Sequence, residues 1–164
     1  MKKIAFILII LSLQSCIYLG GGGDTEPEPT SKYTPVFMDR TVFENSVILQ
    51  NNNTIGNAGK IYIFNGSLFI NEKNNGFHVF DNSDPTTPTP IKYINAPGAT
   101  DMAIKDNTIY INQARDLIAV ELSSNMQSLT VTKRIKNIFP PMLSPDGFNE
   151  YTPDGKVLVN WILN

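Results

Sequence analysis

The chain has 164 residues, of which 13 are basic and 15 acidic, so its formal net charge is −2. With no basic run beyond Lys2-Lys3 and Lys133-Arg134, this balance argues against a nucleic-acid partner. One cysteine and one histidine cannot form an internal disulfide or a zinc site of four protein ligands, and a hydrophobic content of 41% is too high for a disordered chain.

Residues 1–15 have the composition of a bacterial signal peptide. A basic start at Lys2-Lys3 is followed by residues 4–13, of which nine in ten are apolar. A transmembrane helix needs about 20 apolar residues, whereas this run has the length of a signal-peptide h-region. We therefore predict that the segment directs export and is removed.

The sequence Leu13-Gln14-Ser15-Cys16 resembles the lipobox of bacterial lipoproteins, with Leu at −3, a small residue at −1 and Cys at +1. The resemblance implies cleavage before Cys16 and attachment of a diacylglyceryl group to its thiol. Two or more acyl chains hold a protein stably on a bilayer. The expected location is the cell envelope, with Cys16 lipid-anchored to the outer membrane. The alternative is a plain secretory signal with an incidental cysteine.

Residues 16–33 are predicted to be a flexible linker after the lipidated Cys16. Four consecutive glycines occupy residues 20–23, and the pairs Glu26-Pro27 and Glu28-Pro29 follow. Glycine runs are flexible, and Glu-Pro pairs are extended and solvated. The segment is therefore expected to hold the folded part away from the bilayer.

From about Tyr33 the composition is typical of strands, with short Ile, Val, Phe and Tyr runs between Asn, Asp, Gly and Pro turns. Residues 67–71 match residues 108–112 at an offset of 41, and the hairpin signal Asn65-Gly66 matches Asp106-Asn107. The same offset pairs Ile61 with Met102, Ile63 with Ile104, Phe77 with Ile118, Val79 with Val120, Lys92 with Lys133 and Ile94 with Ile135.

Four short strands in 41 residues are the size of one propeller blade. We predict an all-β fold over residues 34–164, an incomplete β-propeller of about two to three blades of antiparallel strands. Its repeats lie at about 60–100 and 101–141, with a partial tail at 142–164. A β-sandwich is the alternative, although a sandwich does not require the repeat. In a propeller, Ile63 and Ile104 should occupy equivalent places on neighbouring sheets.

Several segments resemble the LVIVD-repeat β-propeller proteins, in which a G-hydrophobic-x-hydrophobic-D strand precedes an Asp-Pro turn. These segments are residues 59–63, 69–73 and 76–85 and the pair Pro97-Gly98. The second copy keeps residues 101–104 and 116–122 but lacks the Asp-Pro turn. The resemblance covers residues 33–139 and is to lipid-anchored members of the Bacteroidota type. It implies a propeller fold and an envelope location, not an activity.

The folded part has room for about three repeats, whereas propellers typically have four to eight blades. We expect the chain to be the amino-terminal portion of a longer propeller. One alternative is a short protein that closes by self-association through its unclosed blades. Another is that a strand at residues 35–38 completes a last blade. Unclosed sheets leave apolar faces exposed.

Few residues suggest chemistry. His78 alternates with Phe77 and Val79 and so faces the other side of its strand, where a structural role is expected. Acidic residues in turns are better explained by Asx turns than by calcium, because the glycine and distal glutamate of an EF-hand are missing. They are Asp81, Asp84, Asp101 and Asp106, with a second patch at Asp146, Glu150 and Asp154. Tyr62, Phe64, Tyr93 and Tyr110 have rings that can stack on sugars, but period-2 placement favours the sheet.

The sequence thus predicts a lipid-anchored binding or scaffolding module of the cell envelope that is not an enzyme. No catalytic residue, cofactor or metal ligand is assigned. The expected partners are the membrane, through the lipid, and a protein or glycan ligand. The alternative is a fragment of an envelope enzyme or glycan-binding accessory protein whose functional residues lie in further blades.

Overall fold

The computed structural model describes residues 30–164, so the predicted signal peptide, Cys16 and almost all of the linker lie outside the described residues. Ser31–Asn164 form one folding unit. Strands hold 53% of the described residues and helix 4%, which confirms the all-β class.

The described chain contains eleven strands and one short helix, α1, at Arg40–Asn45. The strands are β1 (Tyr33–Asp39), β2 (Ile48–Asn51), β3 (Ala58–Phe64), β4 (Ser67–Glu72), β5 (Gly76–Asp81), β6 (Thr89–Asn95), β7 (Ala99–Lys105), β8 (Thr108–Gln113), β9 (Asp116–Leu122), β10 (Leu129–Ile135) and β11 (Lys156–Leu163).

These strands form three antiparallel sheets, none of them closed within the described residues. The first sheet has the order β2-β6-β5-β4-β3, the second β10-β9-β8-β7, and the third pairs β1 with β11. The predicted hairpins are confirmed. Asn65 and Gly66 join β3 to β4 with φ of 47° and 73°, and Asp106 and Asn107 join β7 to β8 with 49° and 67°. Positive φ at both central positions is the geometry of a type I′ turn.

The repeat seen in the sequence is a repeat of sheets. Ile63 lies on β3 and Ile104 on β7, the corresponding edge strands of the first and second sheets. The register of β4 and β8 also follows the offset of 41. The two segments therefore occupy equivalent places on two separate sheets.

The third strand of each unit departs from the offset of 41. Asn71 is paired with Phe77, and its equivalent Asn112 is paired with Leu117, so Phe77 corresponds to Leu117 and not to Ile118. Likewise Val79 corresponds to Ala119 and not to Val120. The cause is the β4–β5 connection, which is one residue longer than the β8–β9 connection. The connection from Glu121 to its partner Thr130 is one residue longer than the connection from Asp81 to its partner Thr89. This restores the offset, so that Lys92 again matches Lys133.

The first two sheets pack face to face over the main core. Phe69, Phe77, Val79 and Ile94 come from the first sheet, and Met102, Ile109, Ile111, Ile118 and Val120 from the second. Burying one such side chain contributes about 1.5–3 kcal/mol, so this interface is the main source of cohesion.

The third sheet and α1 pack at the end of the second sheet that carries the β8–β9 turn. Val157 and Val159 of β11 pack with Phe43 of α1 and with Ala114 in the β8–β9 turn. The strand considered at residues 35–38 lies within β1, and the predicted partial tail contains β11. Their pairing joins Tyr33 to Leu163 and Asp39 to Lys156.

Candidate functional site

Each of the first two sheets has two faces, and the face that is buried in the first sheet is the exposed one in the second. Residues opposite each other across neighbouring strands share a face. We define face A by Tyr62, Phe69 and Phe77 in the first sheet and by their equivalents Ala103, Tyr110 and Leu117 in the second. Face B is defined by Ile61, Ile63 and Ile70 in the first sheet and by Met102, Ile104 and Ile111 in the second.

Face A of the first sheet packs against face B of the second. Ile61 and Ile63 are 62% and 69% exposed, whereas Met102, the equivalent of Ile61, is 6% exposed. On face A the order is reversed, because Phe69 is 2% exposed and its equivalent Tyr110 is 37% exposed. The sheets are therefore stacked in the same sense. Face A of the second sheet is left partly exposed, and so is the β3 edge of face B in the first sheet, whereas His78 and Tyr93 on that face B are buried.

Equivalent positions of the two sheets approach each other at the edge strands. Lys60 and Asp101 occupy the same repeat position and form an ion pair. The Tyr62 hydroxyl donates to the Asp101 carboxylate at 2.5 Å and lies 3.4 Å from the Met102 backbone N–H. Burial, helped by Asp101, raises the pKa of Tyr62 to about 12, so the phenol stays a donor at neutral pH.

A cleft of about 200 Å³ opens between the two sheets at their hairpin end. Phe64, Phe69, Ile104, Ile109, Leu122 and Met126 form its apolar walls, and Asn65, Ser67, Asn107, Ser123 and Ser124 its polar rim. Apolar walls with a few polar groups at the mouth are typical of ligand sites. The size suits one ring or one side chain of a larger ligand.

A shallower depression of about 290 Å³ lies on the uncovered face A of the second sheet. Tyr110, Leu117 and Phe139 line it together with Asp101 and Asn112. The Asn112 Oδ1 atom is buried without a hydrogen-bond partner among residues 30–164. Its equivalent in the first sheet, Asn71, donates from Nδ2 to the Ala99 carbonyl of the second sheet at 3.4 Å.

His78 belongs to a buried polar cluster. Its Nε2 atom is 3.1 Å from a Glu72 oxygen, and its ring lies 4.8 Å from that of Tyr93. Burial alone raises the pKa of Glu72, but the backbone N–H groups of Gly56 and Asn57 and the His78 ring outweigh it and hold that pKa below its usual value. Burial, aided by the Glu72 charge, raises the pKa of Tyr93 to about 12.

Two of the acidic residues, Asp81 and Asp84, accept hydrogen bonds from residues that follow them in the same turn. Asp81 accepts hydrogen bonds from Ser83, and Asp84 from Thr86, each from the backbone N–H and the hydroxyl. These contacts confirm the predicted Asx turns at Asp81 and Asp84, whereas Asp101 lies in β7 and not in a turn. Asp146 accepts from the hydroxyls of Ser144 and Ser31. Within residues 30–164 there is no group of three His, Cys, Asp or Glu side chains arranged to hold a metal ion.

Asp116 is the centre of an ion network that the sequence did not predict. Its fully buried carboxylate accepts from Arg40 Nη2 at 2.5 Å, from Arg134 Nη1 at 2.8 Å and from the Asn137 N–H at 3.0 Å. Both guanidinium groups lie over the Phe43 ring, 5.5 Å and 5.3 Å from its centre. The network fixes α1 to the second sheet. Arg40 is 76 residues from Asp116, so no local pattern indicates the pairing.

Of the four aromatic residues considered for sugar stacking, three are buried or partly buried. Tyr93 is buried, and Tyr62 and Phe64 pack partly buried against the inter-sheet core. Tyr110 is the one among these four that is exposed. The cleft residues Ser123, Ser124 and Met126 were not predicted, although hairpin signals at equivalent repeat positions indicate which end of the sheets they share.

Comparison with protein-family models, with curated proteins and with solved structures yields no match for this chain. Among residues 30–164, no helix has the length and apolar character required to cross a bilayer.

Proposed function

We propose that this chain is a lipid-anchored protein of the cell envelope, placed on the outer membrane, whose folded part is a binding or scaffolding module without catalytic activity. The architecture proposed for that part is an incomplete β-propeller of the LVIVD-repeat type. The observation that carries the proposal is the same-sense stacking of two equivalent sheets, with Lys60 beside Asp101 at the same repeat position.

The anchor rests on Cys16. It is the single cysteine of the chain and stands directly after Leu13-Gln14-Ser15, where the lipobox pattern requires it. A lipid anchor with at least two acyl chains does not need a basic surface for attachment, which suits a formal net charge of −2.

Anchoring is tested by labelling the full chain with an alkyne fatty acid in a bacterium that processes lipoproteins. The parent should take up the label and sediment with membranes. The Cys16→Ser variant should carry at least ten-fold less label than the parent. Ser15→Ala, which keeps a small residue before the cysteine, is the matched control and should be labelled like the parent. Equal labelling of Cys16→Ser would contradict the anchor.

The binding role rests on the inter-sheet cleft, since its walls are apolar and its rim offers amide and hydroxyl groups. The ligand classes that fit are a glycan or a protein side chain, entering at the hairpin end of the sheets. No step of a reaction is assigned to the rim residues.

A glycan array of the full chain separates the ligand classes. Ser124→Trp should close the cleft and reduce a positive signal at least ten-fold, because Ser124 lies on the rim. Ser128→Trp, on the same exposed loop but outside the cleft lining, should bind like the parent. Unchanged binding by Ser124→Trp would place the ligand elsewhere, and a silent array would remove the glycan class.

A further inference from the structure

We propose that the two uncovered faces bind each other in different copies, so that chains assemble head to tail, with face A of the second sheet in one copy on face B of the first sheet in the next. The inference rests on the propeller-like stacking put forward above. It names the partner as a second copy of this chain.

The complementarity of the two faces follows from the internal interface. Within one chain, face A of the first sheet covers face B of the second, burying Phe69 and Met102. The exposed surfaces, face A of the second sheet and the β3–β4 part of face B in the first, are repeat equivalents of parts of these same two faces. A contact between copies would therefore continue an interface that the fold already contains.

The exposed part of face B in the first sheet, on β3 and β4, is apolar like the buried face B of the second sheet. Ile61 and Ile63 on β3 lie beside Ile70 and Leu68 on β4, and these four apolar side chains share one face. Two of them are more than half exposed. Large apolar patches on soluble domains mark interaction sites.

The uncovered face A of the second sheet offers the matching groups. Ala103, Tyr110 and Leu117 replace Tyr62, Phe69 and Phe77 on its surface. By the repeat, Asn112 takes the place of Asn71, which donates from Nδ2 to the Ala99 carbonyl in the internal interface. The equivalent of Ala99 in the next copy is Ala58, at the start of β3. An Asn112 side chain reaching the Ala58 carbonyl would reproduce the internal contact.

The symmetry of such a contact is heterologous, because different faces meet. A heterologous contact gives a ring when its rotation closes and a filament when it does not. Each copy supplies two stacked sheets, and propellers close with about four to eight. A closed ring would thus contain about two to four copies.

Cross-linking tests the predicted pairing. By the repeat, Ala103 of one copy takes the place of Tyr62, and Ile61 of the next copy takes the place of Met102. Full-length chains carrying Ala103→Cys and Ile61→Cys, with different tags, are co-expressed and treated in membranes with a short bis-maleimide. We expect at least ten-fold more mixed dimer than for either variant alone or for the parent, whose single cysteine is Cys16.

An internal reference separates this inference from the proposed architecture. Tyr62→Cys and Met102→Cys within one chain mark the equivalent contact between its own two sheets. If this internal link forms and the Ala103–Ile61 link does not, head-to-tail assembly is wrong while the stacking stands. If Ile61→Cys alone links to itself, the contact is isologous and the inference is also wrong.

A charge on face B provides the second test. Light scattering of the detergent-solubilised full chain should give a protein mass of two to four copies. Ile63→Asp should reduce it to one copy, because Ile63 is exposed in the single chain but buried in the assembly. Ile162→Asp, at a 58% exposed position on β11, is the matched control and should leave the mass unchanged. A single-copy mass for the parent would overturn the inference.

Discussion

At the scale of single residues, the strongest constraint is the buried charge at Asp116. One carboxylate compensates two guanidinium groups and also accepts a backbone N–H. Burying charges costs several kcal/mol for each ion unless they are paired. Removing one member of the network should therefore cost more, by leaving a buried charge unpaired, than the attraction between the members contributes to stability.

We expect Asp116→Asn to lower the free energy of unfolding by about 3–5 kcal/mol, because Arg134 would lose its carboxylate partner and Arg40 would keep only its partly exposed pairing with Glu44. Asp39→Asn is the matched control, since Asp39 pairs with Lys156 at 2.7 Å on the exposed surface. That change should cost no more than about 1 kcal/mol. Urea unfolding followed by tryptophan fluorescence at Trp161 measures both. Equal losses would show that burial does not set the strength of this pairing.

At the scale of elements, strand pairing depends on a few turn residues. Gly76 opens β5 with a φ of +148°, and a Cβ there would lie 2.0 Å from the Ile94 carbonyl oxygen on β6. Gly147 also has a positive φ, of +89°, but a Cβ there would meet nothing within 4 Å. An alanine at Gly147 would therefore meet backbone strain alone, whereas an alanine at Gly76 would meet both strain and steric overlap.

Gly76→Ala should therefore destabilise the fold by about 3 kcal/mol or more, combining strain with overpacking of the β5–β6 pair. Gly147→Ala should cost about 1 kcal/mol, from the backbone alone. Thermal unfolding by circular dichroism compares them. A Gly76→Ala midpoint close to that of Gly147→Ala would mean that β6 can move away from β5 at little cost.

The sequence predicts the hairpins better than the strand equivalences. The turn type is determined by two residues in each hairpin, Asn65-Gly66 and Asp106-Asn107. The β3–β4 and β7–β8 pairs could therefore be predicted directly. The mismatch at Phe77 arises because apolar residues on β5 and β9 match equally well one position apart. Helix α1 was not predicted, since six residues are too few to show a 3.6-residue period.

At the scale of the whole molecule, the decisive feature is which face of each sheet is covered. Ile61 and Met102 are both apolar, so their sequence cannot show that one is exposed and the other buried. Coverage depends on a neighbouring sheet, which is a property of the assembled units. For the same reason, the cleft between the sheets was not predictable from either repeat alone.

We expect equivalent truncations in the two sheets to have unequal effects. Phe69→Ala should lower the free energy of unfolding by about 3–5 kcal/mol, because it empties space in the inter-sheet core. Tyr110→Ala, at the equivalent but exposed position, should cost less than about 1 kcal/mol. Both are measured by urea unfolding in the Ile63→Asp background, so that contacts between copies do not contribute. Similar losses would contradict same-sense stacking.

The pairing of β1 with β11 has a mechanical consequence. Tyr33 lies beside Leu163, while β11 joins the rest of the fold through Lys156 at the opposite end of the ladder, beside Asp39. Tension along β1 from the amino-terminal side would load these hydrogen bonds in shear, all at once, and not peel them one by one. Resistance to forced unfolding is set by the unfolding rate. The β1–β11 ladder would thus resist a force applied to the chain on the amino-terminal side of Tyr33.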